Sequence, residues 1–230
     1  MKQFPFKFIE LTHSINQDSP CWETGCGFTT ETMLNYSDCT TAVKFKVQSL
    51  KMDAGIGTHI DSPAHCVSGG KTTDELPLEE LLAPCVVIDV SSMAHETYCL
   101  TVEDISDFEN NYGRIKEGSF VIIYTGWDKY WLNPDKYRNN LSFPSVSEKA
   151  AQLLLQRGII GLGIDTLSPD TPESDYPVHQ IILGSGKYLI ENVANAQAMP
   201  PIGGFTLALP IRLQGMTEAP IRLIGLVNKN

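Results

Sequence analysis

Short apolar runs rich in β-branched residues punctuate the chain at Thr41–Ser49, Cys85–Val90, Ser119–Tyr124, Ile159–Ile164, Lys187–Ile190, Phe205–Leu209 and Ile221–Val227. Each is bounded by Gly, Pro or Asp, the pattern of a β-strand. Runs such as Val121-Ile122-Ile123 do not alternate with polar residues, so those strands are expected to be covered on both faces. Helical periodicity is scarcer. Its clearest instance is Ser145–Gly158, where Ser145 and Glu148 stand at capping-box spacing, Ala150, Ala151, Leu154 and Leu155 make an apolar stripe, and Gly158 supplies the stop. A second helix is expected from Thr101 to about Asn110, with Thr101 as cap, and a short one near Leu78–Leu82. Strands outnumber helices by about two to one, which predicts a single mixed, β-rich α/β domain over residues 1–230 rather than a doubly wound parallel sheet.

Composition narrows the functional classes. With 27 acidic against 17 basic residues and a net charge of −10, the chain lacks the basic surface that nucleic acids or anionic membranes require. No run approaches the roughly 18 apolar residues of a membrane span. The N-terminal residues have no apolar core of a signal peptide, so a cytoplasmic protein is expected. The cysteines at 21, 26, 39, 66, 85 and 99 include no C-x-x-C pair, and most are expected to be buried, reduced hydrophobes.

Candidate chemistry concentrates in Gly55-Ile56-Gly57-Thr58-His59-Ile60-Asp61-Ser62-Pro63-Ala64-His65. If Gly57 to Asp61 is extended, His59 and Asp61 point to one face while Thr58 and Ile60 point to the other. Pro63 then ends regular pairing, and the turn can return His65 to the same face. Imidazole, carboxylate and imidazole so close in sequence suit a first-row divalent ion, although His-x-Asp also occurs in ordinary cores and surfaces. Asp165, His179 and Glu191 follow short apolar runs in the second half, where site residues collect at strand ends. Phosphate-loop and nucleophile-elbow readings fail, because their required glycines are missing around Ser68–Thr72 and Leu183–Lys187. Of the remaining histidines, His13 reads as structural or as a residue behind the metal ligands, and His95 as a surface residue.

The His59–His65 stretch resembles the H-x-G-T-H-x-D-x-P-x-H motif of the metal-dependent cyclase family, which includes bacterial kynurenine formamidases and isatin hydrolases. Leu11-Thr12-His13, Pro20-Cys21-Trp22, Thr125-Gly126-Trp127-Asp128-Lys129-Tyr130-Trp131, Gly163-Ile164-Asp165-Thr166, Val178-His179, Ile190-Glu191-Asn192 and Ala219-Pro220-Ile221-Arg222 are similar to further family segments, in family order. The resemblance implies a swivelling β/β/α fold assembled as a homodimer or higher homo-oligomer. It also implies hydrolysis of a small-molecule amide, formamide or lactone by metal-activated water. His59, Asp61, His179 and Glu191 fall on its metal positions, and His65 on a proton-transfer position beside the metal. The ion is expected to be Zn2+ or Mn2+, one rather than two. Trp22 and Trp127 are candidates for the wall of an aromatic substrate site, with core packing as their alternative.

One departure stands out. The family motif opens with a metal-binding histidine where this chain has Gly55. Asp53, two residues earlier, is a candidate substitute. Three outcomes stay open: a weaker or single-ion site, a substituted ligand set, or a non-catalytic small-molecule-binding or assembly protein on the same fold. The Asp-, Glu- and Pro-containing stretch Pro169–Pro177 is expected to form a lid or rim beside His179.

Overall fold

The computed structural model describes residues 5–23 and 27–229. Its strands are β1 (Phe6–Glu10), β2 (Phe28–Leu34), β3 (Val47–Met52), β4 (His59–Asp61), β5 (Leu82–Asp89), β6 (Cys99–Leu100), β7 (Phe120–Tyr124), β8 (Ser145–Val146), β9 (Gly161–Ile164), β10 (Tyr188–Glu191), β11 (Gly204–Pro210) and β12 (Glu218–Asn228). The helices are α1 (Leu78–Leu81), α2 (Val102–Tyr112), α3 (Pro134–Arg138), α4 (Glu148–Gln156) and α5 (Pro177–Gly184). The main sheet runs β1-β12-β11-β5-β7-β9-β10-β4, and β4 pairs again with β12. All of its strands except β1 therefore close into a barrel, with β1 added at the edge of β12. This is the mixed, β-rich α/β architecture that the apolar runs predict.

Strand alternation divides the core into two layers. Cys85, Val87, Phe120, Ile122, Tyr188 and Ile190 point inward and fill the barrel. Val86, Ile88, Val121, Ile123, Leu162 and Leu189 point outward, against Ile105, Phe108, Ala150, Leu154, Val178 and Ile182 of α2, α4 and α5. The parallel strands β5, β7 and β9 are thus buried on both faces, which accounts for their continuous apolar runs. Each large side chain fully buried in these layers contributes about 1.5–3 kcal/mol. Inside the barrel the Phe120 and Tyr188 rings stack 5.6 Å apart; Gly163 makes room for Phe120, since a Cβ there would stand 2.8 Å from its Cζ, and Gly161 makes room for Tyr188.

Several expectations shift in detail. The α4 cap is Ser147, whose side chain accepts from the Ala150 N–H, while Ser145 belongs to β8 and pairs with Cys99 of β6. The Thr101 cap is as expected and forms a capping box with Asp104. In the Thr41–Ser49 run, the strand begins only at Val47. Burial of most cysteines does not hold: Cys85 is buried, Cys39 is partly exposed, Cys66 and Cys99 are exposed, and Cys26 lies outside the described residues. Among the described residues, no helix is long and apolar enough to cross a membrane.

Candidate metal centre

The site grows from β4, which lies between β10 and β12. Pairing sets Glu191 opposite His59 on one side and Glu218 opposite Asp61 on the other. Ile60 and its partners Ile190 and Ala219 point into the barrel core. His59, Asp61 and Glu191 therefore share the outer face, where α5 lays His179 over them. His59 and Asp61 are only 3% and 1% exposed. Pro63–His65 forms a single 3-10 turn that brings His65 back beside the cluster, its ring 6.0 Å from that of His179.

Both buried imidazoles are held in one orientation. His59 Nδ1 lies 2.9 Å from the Gly57 carbonyl, which can only accept, so Nδ1 carries the proton and Nε2 faces the cluster. That nitrogen stands 3.4 Å from Asp61 Oδ1 and 3.4 Å from Glu191 Oε2. His179 Nδ1 donates to Asp170 Oδ2 at 2.8 Å, which leaves its Nε2 3.5 Å from Glu191 Oε1 and 3.9 Å from Asp61 Oδ2. Metal-bound histidines characteristically donate the other ring N–H to a carbonyl or carboxylate in this way.

The donor set fits a divalent cation. His59, Asp61 and Glu191 present ligand atoms within 4.8 Å of one another, and so do Asp61, His65 and Glu218. Asp61 Oδ1 is buried without a hydrogen bond, with His59 Nε2 3.4 Å away. An unpartnered buried carboxylate oxygen is costly unless a cation neutralises it.

Without an ion, protons play that part. Burial opposes charge on His59, yet Asp61 and Glu191 push its pKa up to about 10. Burial likewise opposes charge on His179, but Asp170, Glu191 and Asp61 raise it to about 11. Burial, reinforced by Asp61, raises Glu191. A histidine whose folded pKa exceeds its unfolded value near 6.5 adds stability below that value and loses it as pH climbs through the folded pKa. The metal-free protein should therefore lose thermal stability between about pH 6.5 and pH 10. The metal-loaded protein should not, so the gap between their melting temperatures should widen with pH in calorimetry.

The sequence profile of the Cyclase family, described as "Putative cyclase", matches residues 9–171. The chain belongs to this cyclase family. It is 30% identical over 190 residues to the isatin hydrolase of Roseibium aggregatum, covering 75% of this chain and 72% of that protein. Identity to the kynurenine formamidase of Salinibacter ruber is 28% over 177 residues, covering 76% of this chain and 77% of the relative. Among solved structures, isatin hydrolase A from Ralstonia solanacearum superposes with a TM-score of 0.90 at 27% identity, covering 97% of this chain and 92% of that one. A potential metal-dependent hydrolase with cyclase activity superposes at 0.76, with 27% identity and 98% and 100% coverage.

Within the cyclase fold, a cavity of about 600 Å³ opens over the cluster, lined by Trp22, Gly55, His59, His65, Leu167, Tyr176, His179, Glu191 and Glu218 among others. Trp22 is thus at the cavity, with its ring 6.2 Å from that of Tyr176. Trp127 is not. It is buried with Trp131, Tyr137, Phe143 and Leu167, and its indole N–H donates to the Tyr137 carbonyl at 2.8 Å. Asp53 is not brought to the cluster either. Its N–H bonds to the Gly27 carbonyl, its carboxylate lies beside Gly27, and it belongs to neither ligand triad nor to the cavity lining. His179 sits in the first turn of α5 rather than at a strand end. Asp165 serves the neighbouring turn, accepting from Thr125 and Trp127. His13 is structural as expected, stacked 4.0 Å from Trp131, and burial lowers its pKa to about 4.

Three residues outside the candidate site set have clear geometric parts. Asn192 is buried at φ 55° and donates to the same Gly57 carbonyl that orients His59. Glu218 immediately precedes the Ala219–Arg222 segment. Asp170 lies inside the stretch expected as a rim, and Asp175 and Tyr176 of that stretch do line the cavity. Asp170 also accepts the backbone N–H groups of Val178 and His179, which capture otherwise unpaired donors at the start of α5. Asp170→Asn should weaken metal binding by about 10- to 100-fold, read by titration calorimetry, because His179 loses its charged anchor.

Proposed function

We propose that this chain is a metal-dependent hydrolase that opens an amide, formamide or lactone bond of a small, largely planar molecule. The triad of His59, Asp61 and Glu191 beside the cavity, with His179 Nε2 within 3.5 Å of Glu191 and 3.9 Å of Asp61, carries this reading. Those four residues would hold one Zn2+ or Mn2+ ion. When bound, such an ion polarises a carbonyl and acidifies water. His59 and His179 keep a fixed tautomer through Gly57 and Asp170, so their lone pairs need no reorganisation. Trp22, Leu167 and Tyr176 offer an apolar wall that orients a flat substrate and excludes bulk water. His65 would pass a proton to the leaving nitrogen or oxygen. Its pairing with Glu218, whose Oε2 lies 3.5 Å from Nδ1, raises its pKa and keeps the donor form populated.

Relatives named for isatin and kynurenine chemistry supply the first substrates to try. Manganese- or zinc-loaded protein should hydrolyse isatin, N-formylkynurenine or a simple lactone, and His65→Ala should lower turnover by about 10²- to 10⁴-fold. Metal uptake without turnover of any of the three would favour a non-catalytic binding protein on the same fold.

The protein is further proposed to be cytoplasmic, to work as one unit over residues 1–230, and to assemble as a homodimer or higher homo-oligomer. The β2–β3 ribbon supports assembly: Met33, Tyr36, Val43, Phe45, Val47 and Leu50 are all exposed. A two-stranded ribbon with bare apolar side chains gains by being covered. A Phe45→Ser/Leu50→Ser variant should run as a monomer in light scattering after gel filtration, and an unchanged mass would refute this interface.

A further inference from the structure

The glycine at position 55 removes a side chain from the rim of the cluster, and the surrounding space has not been left open. A Cβ built on Gly55 would overlap Glu218 Oε1 and stand 3.4 Å from His59 Nε2. The Glu218 carboxylate therefore occupies the volume in which a side chain at 55 would begin. It arrives from another part of the fold, as the first residue of β12, set opposite Asp61 by antiparallel pairing. From there its ligand atom lies within 4.8 Å of those of Asp61 and His65. Asp61 belongs to this triad and also to the one with His59 and Glu191, so it links the two donor sets.

We propose that Glu218 supplies the metal ligand that residue 55 lacks, so that this chain completes its donor set from β12 instead of from the loop before β4. The proposal rests on the metal-dependent reading above. A carboxylate in place of an imidazole has chemical consequences. The set becomes Asp61, Glu191 and Glu218 with His59 and His179, richer in oxygen and in negative charge. Oxygen donors suit Mn2+ better than sites rich in nitrogen do, so the exchange tilts selectivity from Zn2+ towards Mn2+. It also couples the ion to His65, because the other oxygen of Glu218 faces His65 Nδ1 at 3.5 Å.

Calorimetric titration of the metal-free full chain with Mn2+ alone, and separately with Zn2+ alone, tests this. Glu218→Gln keeps the shape of the side chain and should weaken Mn2+ binding by at least about tenfold. Gly55→His/Glu218→Ala restores an imidazole where the carboxylate is removed; it should recover most of the lost affinity and bind Zn2+ in preference to Mn2+. Gly55→His alone must displace the Glu218 carboxylate from the space it fills, so it should not bind Mn2+ more tightly than the double variant does. Wild-type Mn2+ affinity in Glu218→Gln, with only the pH profile of hydrolysis altered, would overturn the proposal and leave Glu218 as a positioning residue for His65. A double variant as weak as the single one would also overturn it. Failure of the wild-type chain to bind either ion would instead remove the metal-dependent reading itself.

Discussion

Asp61→Asn is expected to abolish metal retention and, with it, hydrolysis. Asp61 is the residue common to both donor triads, and its Oδ1 is a buried oxygen without a hydrogen bond. Asparagine preserves the volume but removes the charge that a buried dication needs. Breaking one half of a buried charge pair costs about 3–5 kcal/mol, so affinity should fall by 100-fold or more. The β4 register should survive, because Ile60 still anchors the strand in the barrel between Ile190 and Ala219. Circular dichroism should therefore report a folded chain, while metal analysis after dialysis finds no bound ion. An Asp61→Asn protein that keeps a stoichiometric ion would contradict the proposed ligand set.

Asp165→Ala is expected to produce the largest loss of stability without touching the cluster. This carboxylate is fully buried and accepts from the Thr125 N–H at 2.8 Å, the Thr125 hydroxyl at 2.7 Å and the Trp127 N–H at 2.8 Å. Burial raises its pKa to about 6, against the lowering effect of the Thr125 bonds. Alanine would leave three buried donors without acceptors, at about 1–3 kcal/mol each. For a chain of this size a loss of about 4 kcal/mol lowers the melting temperature by roughly 10 °C. The damage should be visible as Trp fluorescence, since Trp127 is positioned by this carboxylate within the aromatic cluster. A melting temperature within a degree or two of wild type would show that the turn is held by its packing alone.

Much of this arrangement was legible in the residues, for identifiable reasons. The strands β5, β7 and β9 are covered on both faces, so burial wrote itself into continuous apolar runs. The Thr101 cap was readable because a capping box is a local motif. The shared face of His59 and Asp61 on β4 and the return of His65 follow from period-two alternation and a proline. Other features lack a local signature. The β2–β3 ribbon is exposed along most of its length, so no burial pattern marks Thr29-Thr30-Glu31 as a strand. Pro177, placed at the end of the stretch expected as a lid or rim, opens α5 instead, in a first turn where its missing N–H costs nothing. Position 55 illustrates the deepest limit. Sequence proximity pointed to Asp53 as the replacement carboxylate, but barrel closure brings β12 against β4 and sets Glu218 beside the empty position instead. Long-range pairing, not spacing, decides which acid faces the cluster.

The central claim is that a single divalent ion sits on the outer face of β4, beneath the cavity. Anomalous diffraction from crystals grown with Mn2+ tests it most directly. One strong peak per chain is expected among His59 Nε2, His179 Nε2 and the carboxylates of Asp61 and Glu191. Density without an anomalous peak at that position, in crystals saturated with Mn2+, would contradict it.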